Sequence, residues 1–162
     1  MLKLKPLLKK AFNADYALGH FNFADTVTLK AIVATCEKLK SPVFVGVSEG
    51  EAAFVGYEQA VQLVESWRQV SGLPIFLNAD HHRSLETIKK AIDVGFDSVQ
   101  VDEMKLSLEE NTKLSKEIVE YAKNKNPDIS VEGGLGYFTT DSSKLYQDSI
   151  EVKPEDMTSP EE

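Results

Sequence analysis

An aspartate followed by two histidines, Asp80-His81-His82, carries the side chains in this sequence that are best suited to chemistry. A neutral imidazole is a good ligand for a cation such as zinc, and an adjacent carboxylate can take or give a proton beside a substrate that the cation polarises. An Asp-His pair can equally be an ordinary hydrogen-bonded part of a polar loop. The residues that the fold brings near this pair decide between the two interpretations.

Further polar residues follow the other apolar segments of the chain, in the same position relative to each segment. They are Asn22, Ser48 with Glu49, Asp102 with Glu103, and Glu132. If the apolar segments are parallel strands, their carboxyl ends meet at one rim and bring these residues together. Clustered carboxylates repel one another unless a cation or a cationic substrate offsets their charge. We therefore prefer a metal site as the interpretation of Asp80 and His81.

The elements that would position these residues alternate regularly along the chain. Apolar segments typical of strands span 17–23, 42–48, 74–79, 98–101 and 129–132. Helical spacing and capping residues predict an opening helix over 2–13 and further helices over 25–40, 57–71, 85–94 and 107–125. This alternation predicts βαβ units with parallel strands and right-handed crossovers.

Two architectures accommodate such units: an open doubly wound sheet, or part of a (β/α)8 barrel. A complete barrel usually needs about 250 residues, whereas this chain has 162. About five strands are predicted, so the barrel interpretation covers only part of a barrel. We expect a single domain over residues 1–162.

Composition restricts the partners and the compartment. The chain is 42% hydrophobic and 27% charged, as expected of a globular domain, and its net charge of −8 opposes binding to nucleic acid or to anionic membranes. No apolar run approaches the roughly 18 to 20 residues that span a bilayer. Cys36 is the only cysteine, so an intrachain disulfide is excluded. The N-terminus lacks the apolar core of a signal peptide, and we expect a cytoplasmic protein without nucleic-acid or membrane partners.

Five ordered segments with compatible spacing resemble the class II bisphosphate aldolases. They are SPVFVGVSEG (41–50), LPIFLNADHH (73–82), KKAIDVGFDSVQVD (89–102), LSLEENTKLSKEIVEYA (106–122) and SVEGGLG (130–136). That family folds as a (β/α)8 TIM barrel and cleaves a ketose 1,6-bisphosphate, of fructose or tagatose, to dihydroxyacetone phosphate and an aldehyde through a zinc-stabilised enediolate. The resemblance implies that this chain is the N-terminal part of such a barrel, with about the first five β/α units.

The resemblance also implies roles for the residues at the predicted rim. Asp80 matches the catalytic proton donor of the family, and His81 matches the first ligand of the catalytic zinc. Asp102 matches a carboxylate of a second metal position, and Glu132 an acidic residue beside the metal centre. The expected cofactor is therefore zinc, with a second divalent or monovalent cation.

Two residues match substrate contacts of the family: Asn22 and Ser48, near the oxygen and phosphate groups of the substrate. The expected partner is a small sugar phosphate. The resemblance also implies a homo-oligomer, a dimer or a tetramer, for the full-length form. It does not distinguish fructose from tagatose bisphosphate, which differ at one hydroxyl stereocentre.

The sequence departs from the family pattern at several positions. His82 stands where glycine or serine is usual, and we expect it to project to solvent or to contact substrate. Glu103 and Met104 replace small residues, and Gly134 stands where the family commonly has a second carboxylate. The segment 136–151 lacks the glycines and acidic pair of the family's mobile loop, so its catalytic glutamate is not assignable.

Three functions remain open. A single histidine cannot complete a catalytic zinc site with three protein ligands, so a truncated aldolase that is inactive by itself is the leading hypothesis. The alternative from another class is a non-catalytic part-barrel that binds a sugar phosphate or pairs with a partner chain. A third hypothesis is another metal-dependent carbon-carbon lyase on a barrel. Fold analogy alone does not separate these.

Overall fold

The computed structural model describes residues 3–101, 106–135 and 157–159. The described helices are α1 (Leu4–Asn13), α2 (Thr26–Leu39), α3 (Glu49–Val55), α4 (Tyr57–Ser71), α5 (Leu85–Val94) and α6 (Leu108–Lys125). The described strands are β1 (His20–Asn22), β2 (Val43–Ser48), β3 (Ile75–His82), β4 (Ser98–Val101) and β5 (Ser130–Gly133). None of the helices in these ranges has the length and apolar character needed to cross a membrane.

The five strands form one parallel sheet in the order β1-β2-β3-β4-β5. Each strand therefore pairs with the strands that come directly before and after it in the chain. A doubly wound sheet reverses its strand order at a switch point, and no reversal occurs among these strands. The order is instead that of consecutive units of a (β/α)8 barrel, so the doubly wound alternative is wrong.

The face of the sheet that meets the helices carries the main apolar core. Strand residues such as Val45, Leu77 and Val99 are fully buried there and pack in one cluster with Leu29 of α2 and Ile88 of α5. This face is apolar at every second strand position, because successive side chains of a strand point to opposite faces. The remaining strand positions face the side that would be the barrel interior.

Helix α1 covers the amino-terminal end of that interior face. Leu4 and Leu7 are buried against Phe76, with Phe44 and Leu18 packed beside them. The interior face is therefore apolar at the amino-terminal ends of the strands and polar at their carboxyl ends. The predicted opening helix is thus present and closes the end opposite the candidate site.

An ion pair joins α4 to the residue before β4, and a hydrogen bond from the same arginine joins α4 to the start of β3. Arg68 contacts Asp97 through its guanidinium group, and its Nε donates to the Ile75 carbonyl at 2.7 Å. Asp97 also accepts the Leu77 amide at 2.7 Å. Burial raises the pKa of Asp97, although the Arg68 charge acts in the opposite direction. The pair thereby ties two neighbouring strands and a covering helix together at the amino-terminal end of the sheet.

Strand β1 is shorter than its predicted range, 17–23, and two further elements differ from the sequence prediction. Helix α3 was not predicted, although Ser48 and Glu51 form a capping box at its start. Strand β3 was predicted to end at Ala79 and continues to His82. The differences in α3 and β3 lie at the carboxyl ends of the strands, where the candidate site residues stand.

Candidate active site

Asn22 bridges two carboxylates at the end of β1. Its Nδ2 donates to Oδ2 of Asp80 at 2.8 Å and to Oε2 of Glu51 at 3.2 Å. Carboxylates that are ionised only accept hydrogen bonds, so the amide nitrogen, and not its oxygen, faces them. The two N–H groups of Asn22 therefore link β1 to β3 and to α3.

Ser48 ends β2 and begins α3. Its hydroxyl accepts the Glu51 amide at 3.3 Å, and Glu51 Oε2 accepts the Ser48 amide at 2.7 Å. In the β2–β3 register Ser48 stands beside Asp80. Glu51 thus contacts both of the predicted substrate residues. It accepts hydrogen bonds from the backbone amide of Ser48 and from the side-chain amide of Asn22. The side chain that connects them was not predicted as part of the site.

A β-bulge presents Asp80 and His81. Strands β3 and β4 pair regularly up to Ala79 and again at His82. Between these positions β3 has two residues where β4 has one, Gln100, which is the definition of a bulge. His81 takes a left-handed backbone conformation with φ of 49°. Such a conformation costs a non-glycine residue about 1 to 2 kcal/mol, so the surrounding contacts have to hold it.

The bulge changes the direction of the His81 side chain. In a regular strand Asp80 and His81 would point to opposite faces of the sheet. Here His81 Nε2 lies 4.0 Å from Asp80 Oδ1, and the two side chains are 37% and 14% exposed. An imidazole and a carboxylate therefore stand side by side at the rim. A carboxylate in this position could exchange a proton with a group beside the imidazole.

Gln100 holds the bulge from the interior side of the sheet. Its Oε1 accepts the His81 amide at 3.1 Å, and its side chain is almost completely buried. Sequence reasoning missed this residue, although a polar side chain inside the apolar segment SVQV was the available signal. A buried amide in a strand needs a hydrogen-bond partner, and here the partner is the backbone of the bulge.

His82 lies on the opposite face, behind the rim, and is completely buried. Its Nε2 is 3.1 Å from the Tyr57 hydroxyl, and its Nδ1 is 3.3 Å from the Asp80 carbonyl oxygen. The expectation that His82 projects to solvent or contacts substrate is therefore wrong. The bulge is the reason, because the extra residue turns the second histidine toward the helices.

The groups around His82 have perturbed pKa values. Burial lowers the pKa of His82, against the opposing charges of Glu49 and Asp80. Burial also raises the pKa of Tyr57 to about 12, with a further contribution from the Glu49 carboxylate. Burial by itself would raise the pKa of Glu49. Hydrogen bonds from the Thr87 hydroxyl and the Ser84 amide outweigh this effect and lower the pKa below its ordinary value. The pocket behind the rim thus favours a neutral imidazole and a protonated phenol.

Glu132 stands apart from the Asp80-His81 pair. It is exposed on β5, where it pairs with Gln100 in the β4–β5 register. It lines an open cavity of about 540 Å³ on the interior face, together with His20, Asn78 and Ser98. The structure thus brings Asn22, Ser48, Asp80 and His81 to one rim and places Glu132 two strands away from β3. The predicted metal residue Asp102 lies outside the described residues.

Comparison with known proteins decides the family. The chain matches the family model described as fructose-bisphosphate aldolase class-II over residues 2–162. The chain belongs to this family. The predicted membership of the class II aldolases is therefore confirmed.

Fructose-bisphosphate aldolases from several organisms align with this chain over much of its length. A fructose-bisphosphate aldolase of Geobacillus stearothermophilus is 37% identical over 139 residues, which are 84% of this chain and 48% of that protein. The fructose-bisphosphate aldolase of Staphylococcus aureus (strain Mu50 / ATCC 700699) is 33% identical over 153 residues, or 93% of this chain and 53% of that protein. The chain spans about half the length of the curated relatives it matches.

A solved structure supports the same fold. The crystal structure of the YdjI aldolase from Escherichia coli K12 superimposes with a TM-score of 0.76 at 30% sequence identity, covering 85% of this chain and 53% of that chain. The structural relatives are class II aldolase TIM barrels, so the predicted part-barrel is confirmed. The five strands correspond to about half of such a barrel.

The aldolase family is metal-dependent, and the described residues fit part of a zinc site. Catalytic zinc sites usually have three protein ligands and one open position. His81 offers an imidazole at the rim, but both ring nitrogens of His82 are engaged behind it. His20 is two residues before Asn22 on β1, farther from the rim, and the centroid of its ring is 6.1 Å from that of Phe44. Within the described ranges no three His, Cys, Asp or Glu side chains converge as a metal site would require.

Proposed function

We propose that this chain forms the N-terminal half of a class II aldolase that reversibly cleaves a ketose 1,6-bisphosphate to dihydroxyacetone phosphate and an aldehyde. The observation that carries the proposal is the placement of Asp80 between Asn22 and His81. Asn22 Nδ2 lies 2.8 Å from Asp80 Oδ2, and His81 Nε2 lies 4.0 Å from Asp80 Oδ1. One oxygen of the carboxylate is held by the amide, and the other is next to the imidazole. Membership of the aldolase family supports the reaction class.

In the complete enzyme, His81 would be one ligand of a catalytic zinc ion, with the other ligands supplied from outside the described residues. The bound cation supplies positive charge that polarises the ketone oxygen of the substrate. Asp80 moves the proton of the C4 hydroxyl. It takes this proton in cleavage, while the C3–C4 bond breaks and its electron pair remains on C3 of the dihydroxyacetone phosphate half. C3 then takes up a proton from another donor to give dihydroxyacetone phosphate. Asp80 returns the proton of the C4 hydroxyl in the reverse condensation.

Asn22 and Ser48 would bind and orient the substrate at this rim. Asn22 keeps the Asp80 carboxylate in place through the 2.8 Å hydrogen bond. Ser48 stands next to Asp80 in the sheet register, at the start of α3. A substrate oxygen that approaches Asp80 therefore meets the ends of three neighbouring strands. Glu132 is proposed as an acidic residue farther along the same interior face.

We further propose that the 162-residue chain alone does not catalyse aldol cleavage. A single rim imidazole leaves the zinc site two protein ligands short of the usual three. Activity would then need the second half of a barrel, on the same polypeptide or on another one. A non-catalytic part-barrel that binds a sugar phosphate is the competing function, and the half-length match to the relatives keeps it in consideration.

The test joins the chain to the second half of the Geobacillus stearothermophilus aldolase, a fusion called the completed barrel below. Zinc content and cleavage of fructose and tagatose 1,6-bisphosphate are measured on the completed barrel and on the chain alone. We expect both zinc and cleavage only in the completed barrel. If the completed barrel folds and binds zinc but cleaves neither substrate, the part-barrel function is the better one.

Two variants separate the proposed roles in the completed barrel. Asp80→Asn is expected to reduce turnover by about 10² or more, the range for loss of a general acid-base group, while zinc stays bound. His81→Ala is expected to lose zinc together with activity. Asp15→Asn, at an exposed position between α1 and β1, is the matched control. Stoichiometric zinc and near-normal cleavage in His81→Ala would overturn the ligand assignment.

A further inference from the structure

A buried pair, Tyr57 and His82, stands directly behind the bulge, and the proposed chemistry does not use either residue. His82 is completely buried, and Tyr57 is 6% exposed. The two rings meet edge to face with centroids 5.8 Å apart. Tyr57 also packs against the Phe96 ring at 6.0 Å, and the Lys90 ammonium lies 4.7 Å from its centroid. The tyrosine is therefore fixed by α4, α5 and the segment before β4.

The partners of His82 determine which of its nitrogens carries the proton. A carbonyl oxygen only accepts hydrogen bonds, so the nitrogen that faces the Asp80 carbonyl at 3.3 Å, Nδ1, has to donate. In the neutral ring Nε2 is then the acceptor, and the Tyr57 hydroxyl donates to it at 3.1 Å. By donating to Nε2, Tyr57 stabilises the tautomer that can bind the backbone of the bulge.

This chain of hydrogen bonds runs from a helix to the strained part of the strand. The His82 ring reaches back over His81 to the carbonyl of Asp80 and closes the two-residue bulge from the helix side. On the interior side, Gln100 accepts the His81 amide at 3.1 Å. Backbone strain of this kind persists only where several surrounding contacts impose it. The two sets of contacts act on the same peptide units from opposite faces of the sheet.

We infer that Tyr57 and His82 are positioning residues that hold the bulge in the conformation that places Asp80 and His81 side by side. The inference rests on the proposed function for the meaning of that placement, but the conformation itself can be tested without activity. Neither residue touches the rim, so each acts through the backbone of Asp80 and His81.

The test uses the 162-residue chain and three variants that differ in the hydrogen bonds they keep. His82→Asn places an amide N–H where Nδ1–H was and can still donate to the Asp80 carbonyl. His82→Leu fills the pocket and donates nothing. Tyr57→Phe removes only the hydroxyl that hydrogen-bonds His82 Nε2. The readouts are hydrogen exchange of the His81 amide and the ¹⁵N NMR signals of the His82 ring, which distinguish the two tautomers.

We expect the Nδ1-protonated tautomer in the unmodified chain and a smaller share of it in Tyr57→Phe. Protection of the His81 amide should fall about tenfold in His82→Leu, the effect of a local opening that loses one hydrogen bond. It should stay near the original value in His82→Asn. Equal protection in His82→Leu and the unmodified chain would overturn the inference. An equal loss in His82→Asn and His82→Leu would also overturn it, because packing alone would then explain the role.

If His82→Leu does not fold, Tyr57→Phe decides. A tautomer share and a His81 protection that are both unchanged in Tyr57→Phe would contradict the inference, and a decrease in both supports it. In the completed barrel the expected further sign is a lower kcat with a similar KM in Tyr57→Phe. The proposed function fails separately, on Asp80→Asn, so the two failures are distinguishable.

Discussion

Asp80 and His81 are adjacent in the chain, yet their side chains stand on the same side of the sheet, with Nε2 of His81 4.0 Å from Oδ1 of Asp80. Regular strand geometry forbids this, because neighbouring side chains alternate between faces. One extra residue in β3 removes the alternation at this point only. The core-facing positions of the strand keep their pattern on both sides of the bulge. A local irregularity therefore creates the pair without disturbing the packing of the sheet.

The first prediction concerns Gly46, which lies beside Asn22 in the sheet register. A methyl group there would overlap Nε2 of His20 and Oδ1 of Asn22. We expect Gly46→Ala to displace Asn22 from Asp80, to lower the free energy of unfolding by about 1 kcal/mol, and to reduce cleavage by the completed barrel about tenfold. Urea unfolding and steady-state kinetics measure these effects.

Gly133→Ala is the matched control for this prediction. Gly133 is also a strand glycine, but among the described residues an added methyl group would meet only Ser115 Oγ, at an ordinary contact distance of 3.8 Å. Its stability should change little. Equal activity losses in the two variants would show that the effect of Gly46→Ala is not transmitted through Asn22.

The second prediction concerns the charge at Asn22. In Asn22→Asp a third carboxylate replaces the amide that bridges Asp80 and Glu51, so repulsion takes the place of two hydrogen bonds. We expect a lower thermal unfolding temperature than in Asn22→Ala, which removes the hydrogen bonds without adding charge. The difference should shrink at acid pH, because protonation of the carboxyls removes the repulsion between them. An Asp variant as stable as the Ala variant at neutral pH would contradict this.

The third prediction concerns the Arg68–Asp97 pair. Arg68→Met leaves a largely buried carboxylate without its cation, and we expect a loss of about 2 to 3 kcal/mol in the free energy of unfolding. The double variant Arg68→Met/Asp97→Asn should recover at least half of this loss, because the amide keeps an acceptor for the Leu77 N–H. Urea unfolding of Arg68→Met, of Asp97→Asn and of the double variant gives the coupling energy between the two side chains. Additive losses would mean that the pair does not act as a unit.

The fourth prediction concerns stability at alkaline pH. Burial and the Glu49 charge raise the pKa of Tyr57 from 10.0 to about 12. As pH rises the unfolded chain releases this proton first, so the contribution of Tyr57 to stability is full below about pH 10 and is lost between about pH 10 and about pH 12. We expect the unmodified chain to lose more stability over this range than Tyr57→Phe. Parallel pH profiles would contradict the raised pKa.

Sequence reasoning located most of the elements because their patterns are local. The helix over 85–94 was predicted from its Ser84 cap and Gly95 terminator, and the structure has both. The fourth strand was predicted at 98–101 with its observed bounds. Apolar alternation and capping depend only on near neighbours in the chain. The five parallel strands followed from these patterns.

The bulge could not be predicted in the same way. Its conformation depends on Gln100, which contacts the His81 amide, and on Tyr57, which contacts the His82 ring, and both are distant from the bulge in sequence. For the same reason the burial of His82 was missed. The capping box of Ser48 and Glu51 was a sequence signal for helix α3. The helix has only seven residues, which is too short for a clear helical pattern. The predictions for Asp102 and for segment 136–151 lie outside the described residues and stay predictions.

The strand order has a consequence for the way the protein is made. Every described strand pairs only with its neighbours in the chain, so no pairing among these five strands waits for a distant segment to be synthesised. Contacts of short sequence separation are formed at a low cost in loop-closure entropy. Each βα unit that leaves the ribosome can dock on the edge of the units before it, and the growing sheet itself is the template. The rim residues of β1, β2 and β3 would then come together before β4 and β5 are translated, and β4 would complete the bulge through Gln100.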